Sequence, residues 1–227
     1  TIRRKGISSF NSLGFPTATR GNEKWKYTNV APLANMEFEF LQYGDSRDLS
    51  DISINRLLPG YEAWTRMVFI DGNFASELSD VNEVSNDLIV ANLADVVSKE
   101  SKLVSEHLGQ IVRPDDNGFA AINTVYLRDG GFIHVPAGIS LDLPLHLVFL
   151  TTHRQIATVS YPRSLISVGS NTKLTVVESY ISMSEGPYLT DAVTEMVIGE
   201  GAEVDHYRYL MEGSKAFHIG TTGIKLE

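Results

Sequence analysis

The chain has 227 residues, 43% hydrophobic and 21% charged, a composition that excludes disordered, collagen-like and coiled-coil chains. Nineteen Lys and Arg against 28 Asp and Glu leave a formal charge of −9, a field that repels phosphate backbones and anionic lipid and so argues against nucleic acid or a membrane as partner. A chain of this length buries roughly 70% of its unfolded surface, so folding requires neither a metal nor a disulfide, and there is no cysteine to form one.

Apolar runs such as Leu147 to Leu150 fall far short of the ~20 residues that span a bilayer. No signal-peptide core precedes the first polar block. The expected compartment is cytoplasmic, or the plastid stroma if the source is a photosynthetic eukaryote. The first residue is Thr1 rather than methionine, so preceding residues are expected.

Residues 1–65 read as an N-terminal arm of helix and loop. Leu13-Gly14-Phe15-Pro16-Thr17 stops any helix before the polar, aromatic run from Glu23 to Tyr27, because Gly and Pro punctuate local structure. Trp25 and Tyr27 either pack this arm against the rest of the protein or contact a partner. Residues 66–118 read as an α/β linker region. Met67-Val68-Phe69-Ile70 predicts a strand ending at the turn Asp71-Gly72, and Leu88-Ile89-Val90 predicts a second. Leu93, Val96, Val97, Leu103, Val104 and Leu108 then recur at helical spacing, with Gly109 as C-cap.

Residues 119–227 read as β-rich throughout, with little helical periodicity, and they repeat. Ile133 to Leu141, Leu165 to Leu174 and Met196 to Val204 each run strand, glycine turn, strand. Their glycines at 138, 169 and 199 fall at nearly constant spacing, the signature of stacked units that cannot bury an apolar face alone. A propeller blade needs ~40 residues and its own signature dipeptides, so a parallel β-helix is the expected architecture. The run from His218 to Glu227 still alternates and carries no polar cap. The chain is therefore expected to be cut within its β-helix and to self-associate through open strand edges.

Candidate chemistry is sparse. Histidines at 107, 134, 146, 153, 206 and 218, with Glu178, Glu195 and Asp205, supply metal-ligating groups, but their spacing matches neither HExxH nor a zinc pattern. Alternation leaves the face of His206 open, because Val204 and Tyr207 fall on opposite sides. Gly199-Glu200-Gly201 is half a dinucleotide fingerprint and reads as a repeat turn. Asp115-Asp116-Asn117-Gly118 resembles a calcium loop, but Arg113 stands where the first ligand belongs, so it too reads as a turn. No G-x-S-x-G surrounds Ser167 or Ser170. No catalytic or cofactor-binding residue is assigned, and metal ligands are left unknown.

Several segments together resemble the SufB/SufD family of the SUF iron–sulfur cluster assembly system, and within it the SufD branch. They are Leu13 to Thr17, Glu23-Lys24-Trp25-Lys26-Tyr27-Thr28, Met67 to Gly72 with Leu78-Ser79, and Phe119-Ala120-Ala121-Ile122-Asn123-Thr124. Asp129-Gly130, His134-Val135-Pro136-Ala137-Gly138, Pro144-Leu145-His146-Leu147, Thr194-Glu195 and Asp205-His206-Tyr207-Arg208 follow in the expected order. The resemblance implies a helical N-terminal region, a central right-handed parallel β-helix and a C-terminal helical domain, the last absent from this chain. It implies a non-enzymatic scaffold subunit that pairs with a SufB-like paralogue and, through the absent part, with a SufC-like ATPase. A cluster iron needs thiolate ligands, so cysteines for an iron–sulfur cluster in such a complex are expected from another chain. The alternatives are a carbohydrate-binding or carbohydrate-active β-helix and a metal-binding enzyme of the cupin kind.

Overall fold

The computed structural model describes residues 2–16, 23–41, 57, 64–81, 88–99, 102–152 and 154–227. Helix α1 (Ile2–Leu13) opens the chain. It ends where Gly14 turns to φ +60° and its N–H donates to the Phe10 carbonyl at 2.8 Å, the left-handed stop expected of a glycine after a helix. A 3-10 turn at Glu23–Trp25, the short α2 (Ala31–Ala34) and β1 (Glu39–Phe40) follow. Next come β2 (Thr65–Ile70), β3 (Asn73–Phe74) and β4 (Ile89–Asn92). The helical pattern after them forms two short helices, α3 (Leu93–Ser98) and α4 (Lys102–His107), and Gly109 lies beyond at φ +72°.

The remainder corrects the expectation of a purely β zone, because α5 spans Gly118–Tyr126. Asn117 caps it, its side-chain oxygen accepting the Ala120 N–H at 2.9 Å. The helix escapes periodicity because Phe119, Ala120, Ala121, Asn123 and Thr124 are all buried, so no polar stripe marks a face. Strands β5 (Gly131–Val135), β6 (Leu145–Thr151), β7 (Thr158–Ser160), β8 (Arg163–Val168), β9 (Lys173–Ser182), β10 (Tyr188–Ile198), β11 (Glu203–Met211) and β12 (Ala216–Leu226) complete the chain.

These strands stack as a parallel β-helix with two sheets. One runs β1-β7-β10-β8-β5-β4 with β12 beside β10, and the other runs β11-β9-β6-β2-β3. In the first, Phe132 lies beside Leu165, Leu165 beside Glu195 and Glu195 beside Gly223, all in parallel register. Among the described strands β3 and β4 pair antiparallel, at one end of each sheet. Inward side chains stack rung on rung, with Phe69, Phe149 and Tyr180 forming a ladder of ring centroids 5.1 and 4.8 Å apart. The outer face of the first sheet is covered by helices. Leu93, Val96, Val104 and Leu108 pack on Phe132 and Leu165, while Phe15 and Trp25 pack on Phe119 of α5. Trp25 thus fastens the arm, whereas Tyr27 is 92% exposed.

The repeat is real, but its glycines are not equivalent. Val135 pairs with Val168 and Val168 with Ile198, so Gly138 corresponds to Asn171 and Gly201, which share its left-handed backbone at φ +78°, +55° and +69°. Gly169 and Gly199 occupy a different corner, where a Cβ on either would strike the backbone of the rung below. Gly169→Ala is therefore expected to cost about 1–3 kcal/mol from overpacking against Ala137. Gly138→Asn has open space and copies the residue of the next rung, so it should stay within about 0.5 kcal/mol of the parent. Urea denaturation of the two variants checks the alignment, and equal losses would refute it.

Candidate functional site

Along one inner row of the second sheet, Met67 lies beside Leu147, Leu147 beside Glu178 and Glu178 beside Arg208. The solenoid interior thus changes from apolar to charged. Glu178 is fully buried. It accepts hydrogen bonds from Thr194 Oγ1 at 2.7 Å and from Arg208 Nε and Nη2 at 3.2 and 2.9 Å, and His206 Nε2 lies 3.1 Å away. Arg208 Nη2 also reaches Thr222 Oγ1 at 3.0 Å. Burial alone would raise the Glu178 pKa, but the His206 hydrogen bond and the Arg208 charge outweigh it and hold the carboxyl below its ordinary value. Oε2 is held by Arg208 and faces His206, and Oε1 accepts from Thr194. Beside it, His218 Nδ1 lies 2.9 Å from Glu212 Oε2 and its ring meets Tyr180 edge-on at 4.7 Å.

A second buried carboxylate faces the other way, toward the helices. Glu195 accepts backbone N–H bonds from Gly109, Ile111 and Val112 at 2.9–3.1 Å and one from Arg163 Nε at 2.9 Å. Both side chains are 0% exposed. Arg163 spends its other donors on Asn123 Oδ1, Thr124 Oγ1 and the Val112 carbonyl at 3.2, 3.0 and 2.6 Å. The pair clamps the loop after α4 and the body of α5 onto the sheet. Asp191 is also fully buried, yet neither of its carboxyl oxygens has a hydrogen-bond partner. Burial drives its pKa well above the ordinary range, against a smaller lowering by the Arg163 charge, which favours the neutral acid.

The histidines are dispersed. His107 lies in α4 and His134 in β5, with its Nδ1 3.2 Å from Ser167 Oγ. His146 lies outside the solenoid against Ser179, while His206 and His218 face inward; His153 lies outside the described residues. Glu178 and His206 meet, but Glu195 pairs with arginine and Asp205 is exposed. Among the described residues no three His, Asp or Glu side chains form a set able to hold a metal. Residues 113–118 form a turn, with Arg113 on Asp116 at 3.3 Å and Asn117 capping α5. Sequence reasoning missed Arg163, Asn123 and Asp191. Their signal was an arginine opening an apolar strand and two carboxyls within the β-branched run 188–198.

Residues 1–147 match the family model described as the SufBD protein N-terminal region, and residues 149–227 match that of the SUF system FeS cluster assembly, SufBD core domain. The chain belongs to the SufBD family. A SufBD family iron–sulfur cluster assembly protein of Synechocystis is 30% identical over 98% of this chain and 50% of its own length. A protein of the same description from Guillardia theta is 28% identical over 89% of this chain and 34% of its own. A chloroplastic protein of Arabidopsis thaliana, ABCI7, is 22% identical over 99% and 47%. The chain thus spans half or less of the length of these relatives. The two family matches meet inside β6, whose neighbour β2 lies in the first, so the SufBD N-terminal region supplies a strand to the solenoid.

Two pH dependences follow. A raised pKa in the folded state means that the Asp191 contribution is intact below the unfolded value near ~3.9 and is lost as pH rises through the folded value. Asp191→Asn should flatten the decline in melting midpoint as pH rises above the unfolded value; a decline as steep as the parent's would refute the raised pKa. Glu178 has the opposite sign. Its contribution is full above the unfolded pKa and is lost as pH falls through the lower folded value. Glu178→Gln should cost about 3–5 kcal/mol at pH 7, the range for breaking a buried pair, and less in acid, as read by denaturation at pH 3.5 and 7.

Proposed function

We propose that this chain is the N-terminal and central part of a SufD-type, non-enzymatic scaffold subunit of the SUF system. In this reading it pairs with a SufB-like paralogue, and a SufC-like ATPase supplies the energy through a region beyond these residues. The support is the pair of consecutive SufBD matches that cover the chain, together with the SUF system FeS cluster assembly description of the core. Protein-bound iron–sulfur clusters are held mainly by cysteine thiolates, and these 227 residues contain no cysteine, so in this reading the thiolates for a cluster come from outside these residues. Glu178 and Glu195 are committed to arginines and other donors of the chain, so neither of these two is free to act as acid or base. The proposed compartment is the cytoplasm or a plastid stroma, and among the described residues no helix is long and apolar enough to cross a membrane.

Affinity capture of the native protein from its own cell extract, under anaerobic conditions, tests this reading. Co-recovery of an ATPase and a cysteine-bearing SufBD paralogue is expected, with cluster absorbance that follows the paralogue. Recovery without either, at salt low enough to keep weak complexes, would overturn it.

A further inference from the structure

Helix α1 is a poor helix by its own sequence. Its twelve residues include Gly6, Ser8, Ser9, Asn11 and Ser12 and no alanine, and glycine, serine and asparagine all favour other backbone conformations over a helix interior. Arg3, Arg4 and Lys5 crowd its N-terminal end, where the first turn holds no acidic residue, so these charges oppose the helix dipole. A segment of this length is marginal in water even when rich in alanine. The helix is therefore formed by what it lies on.

What it lies on is α5, and the fit is close but shallow. The two helices run antiparallel. Arg3 Nη2 donates to the carbonyl of Leu127, the C-cap of α5, at 2.6 Å, and the Gly14 carbonyl lies against Gly118 at the other end. Between these contacts Gly6 meets Ala121 and Val125, where a Cβ would stand 3.0 Å from the Ala121 carbonyl oxygen and 3.1 Å from Val125 Cγ2. Among the described residues of α1, Gly6 alone is buried. Ile2 lies over Gly109 and packs on the cluster of Leu93, Phe132 and Leu165, while Phe10 reaches Phe119 through Phe15. Ile7 and Leu13 stay 49% and 47% exposed. The docking thus rests on shape at a glycine and on two partly covered apolar side chains, whereas six of the seven residues of β6 are buried. Few buried apolar contacts, on a segment that cannot hold its own conformation, mark a unit that opens at a lower free energy than global unfolding.

We propose that α1 is a conditional strap, helical only while docked on α5, which undocks and unfolds as one unit while the β-helix stays intact. Its departure bares the Gly118, Ala121 and Val125 face of α5 and uncovers Gly109, whose N–H holds Glu195. The strap is independent of the SUF assembly role and stands or falls without it.

The test is hydrogen exchange of the native protein, read residue by residue by NMR from zero urea up to the main transition. The amides from Gly6 to Leu13 are expected to share one level of protection, roughly a hundredfold or more below that of β6 and β9, with a weaker urea dependence. Gly6→Val raises helix propensity slightly but drives a branched side chain into α5, so it should lower α1 protection about tenfold. The triple variant Arg4→Glu/Ser8→Ala/Ser12→Ala changes exposed positions and should raise it about tenfold. In both, β6 and β9 should exchange as in the parent. Loss of α1 protection with the same urea dependence as β6 and β9 would overturn the proposal. So would protection that rises steadily from Gly6 to Leu13, which is fraying of an end, or α1 protection that neither variant moves.

Discussion

The fold depends on one buried carboxylate being satisfied. Glu195 sits in the middle of an eleven-residue strand, on the face turned toward the helices, where an unpaired charge would be prohibitively costly. Three backbone N–H groups of the loop after α4 and the Arg163 guanidinium converge on it. Through Arg163 the same network reaches Asn123 and Thr124 of α5. The helical layer is therefore not merely packed on the β-helix but registered to it, since the loop amides and the guanidinium can meet the carboxylate in one arrangement only. Apolar contacts such as Leu93 on Leu165 tolerate sliding, whereas this set of bonds does not.

Asp191 shows what that satisfaction is worth. It lies on the same strand and the same face, four residues earlier, and is just as buried. Without donors its carboxyl is pushed toward the protonated form, while Glu195 is matched by an arginine and three amides. Glu178 completes the comparison from the inner face, where Arg208, His206 and Thr194 hold it ionised. Three carboxyls that look alike in the sequence thus differ in their surroundings according to what the neighbouring rungs and helices bring within hydrogen-bond reach.

That dependence marks the boundary of what the sequence could disclose. The solenoid was legible because its rungs repeat strand and glycine turn, and the strand at 67–70 because an apolar run ends in Asp-Gly. Rung alignment was not, because the repeat lengths vary and Gly138 is matched by Asn171 rather than by Gly169. Helix α5 was hidden by burial on nearly all sides, which removes the polar face that periodicity detects. The partners of Glu195 lie 32 and more than 80 residues away, and no local pattern encodes a meeting across such distances. For His206 alternation alone was insufficient; its inward direction is set by the row it shares with Val204 and Arg208.

The same accounting of side chains bears on the proposed scaffold role. A protein that performed chemistry in its interior would keep a carboxylate or imidazole short of partners, so that a substrate or proton completes the shell. Among the described residues, Glu178 and Glu195 are bonded by arginines and other donors of the chain itself, whereas Asp191 lacks donors. The stacked strands hold rows of side chains at fixed spacing on the outer faces. A rigid surface with its polar groups internally satisfied is suited to positioning other chains.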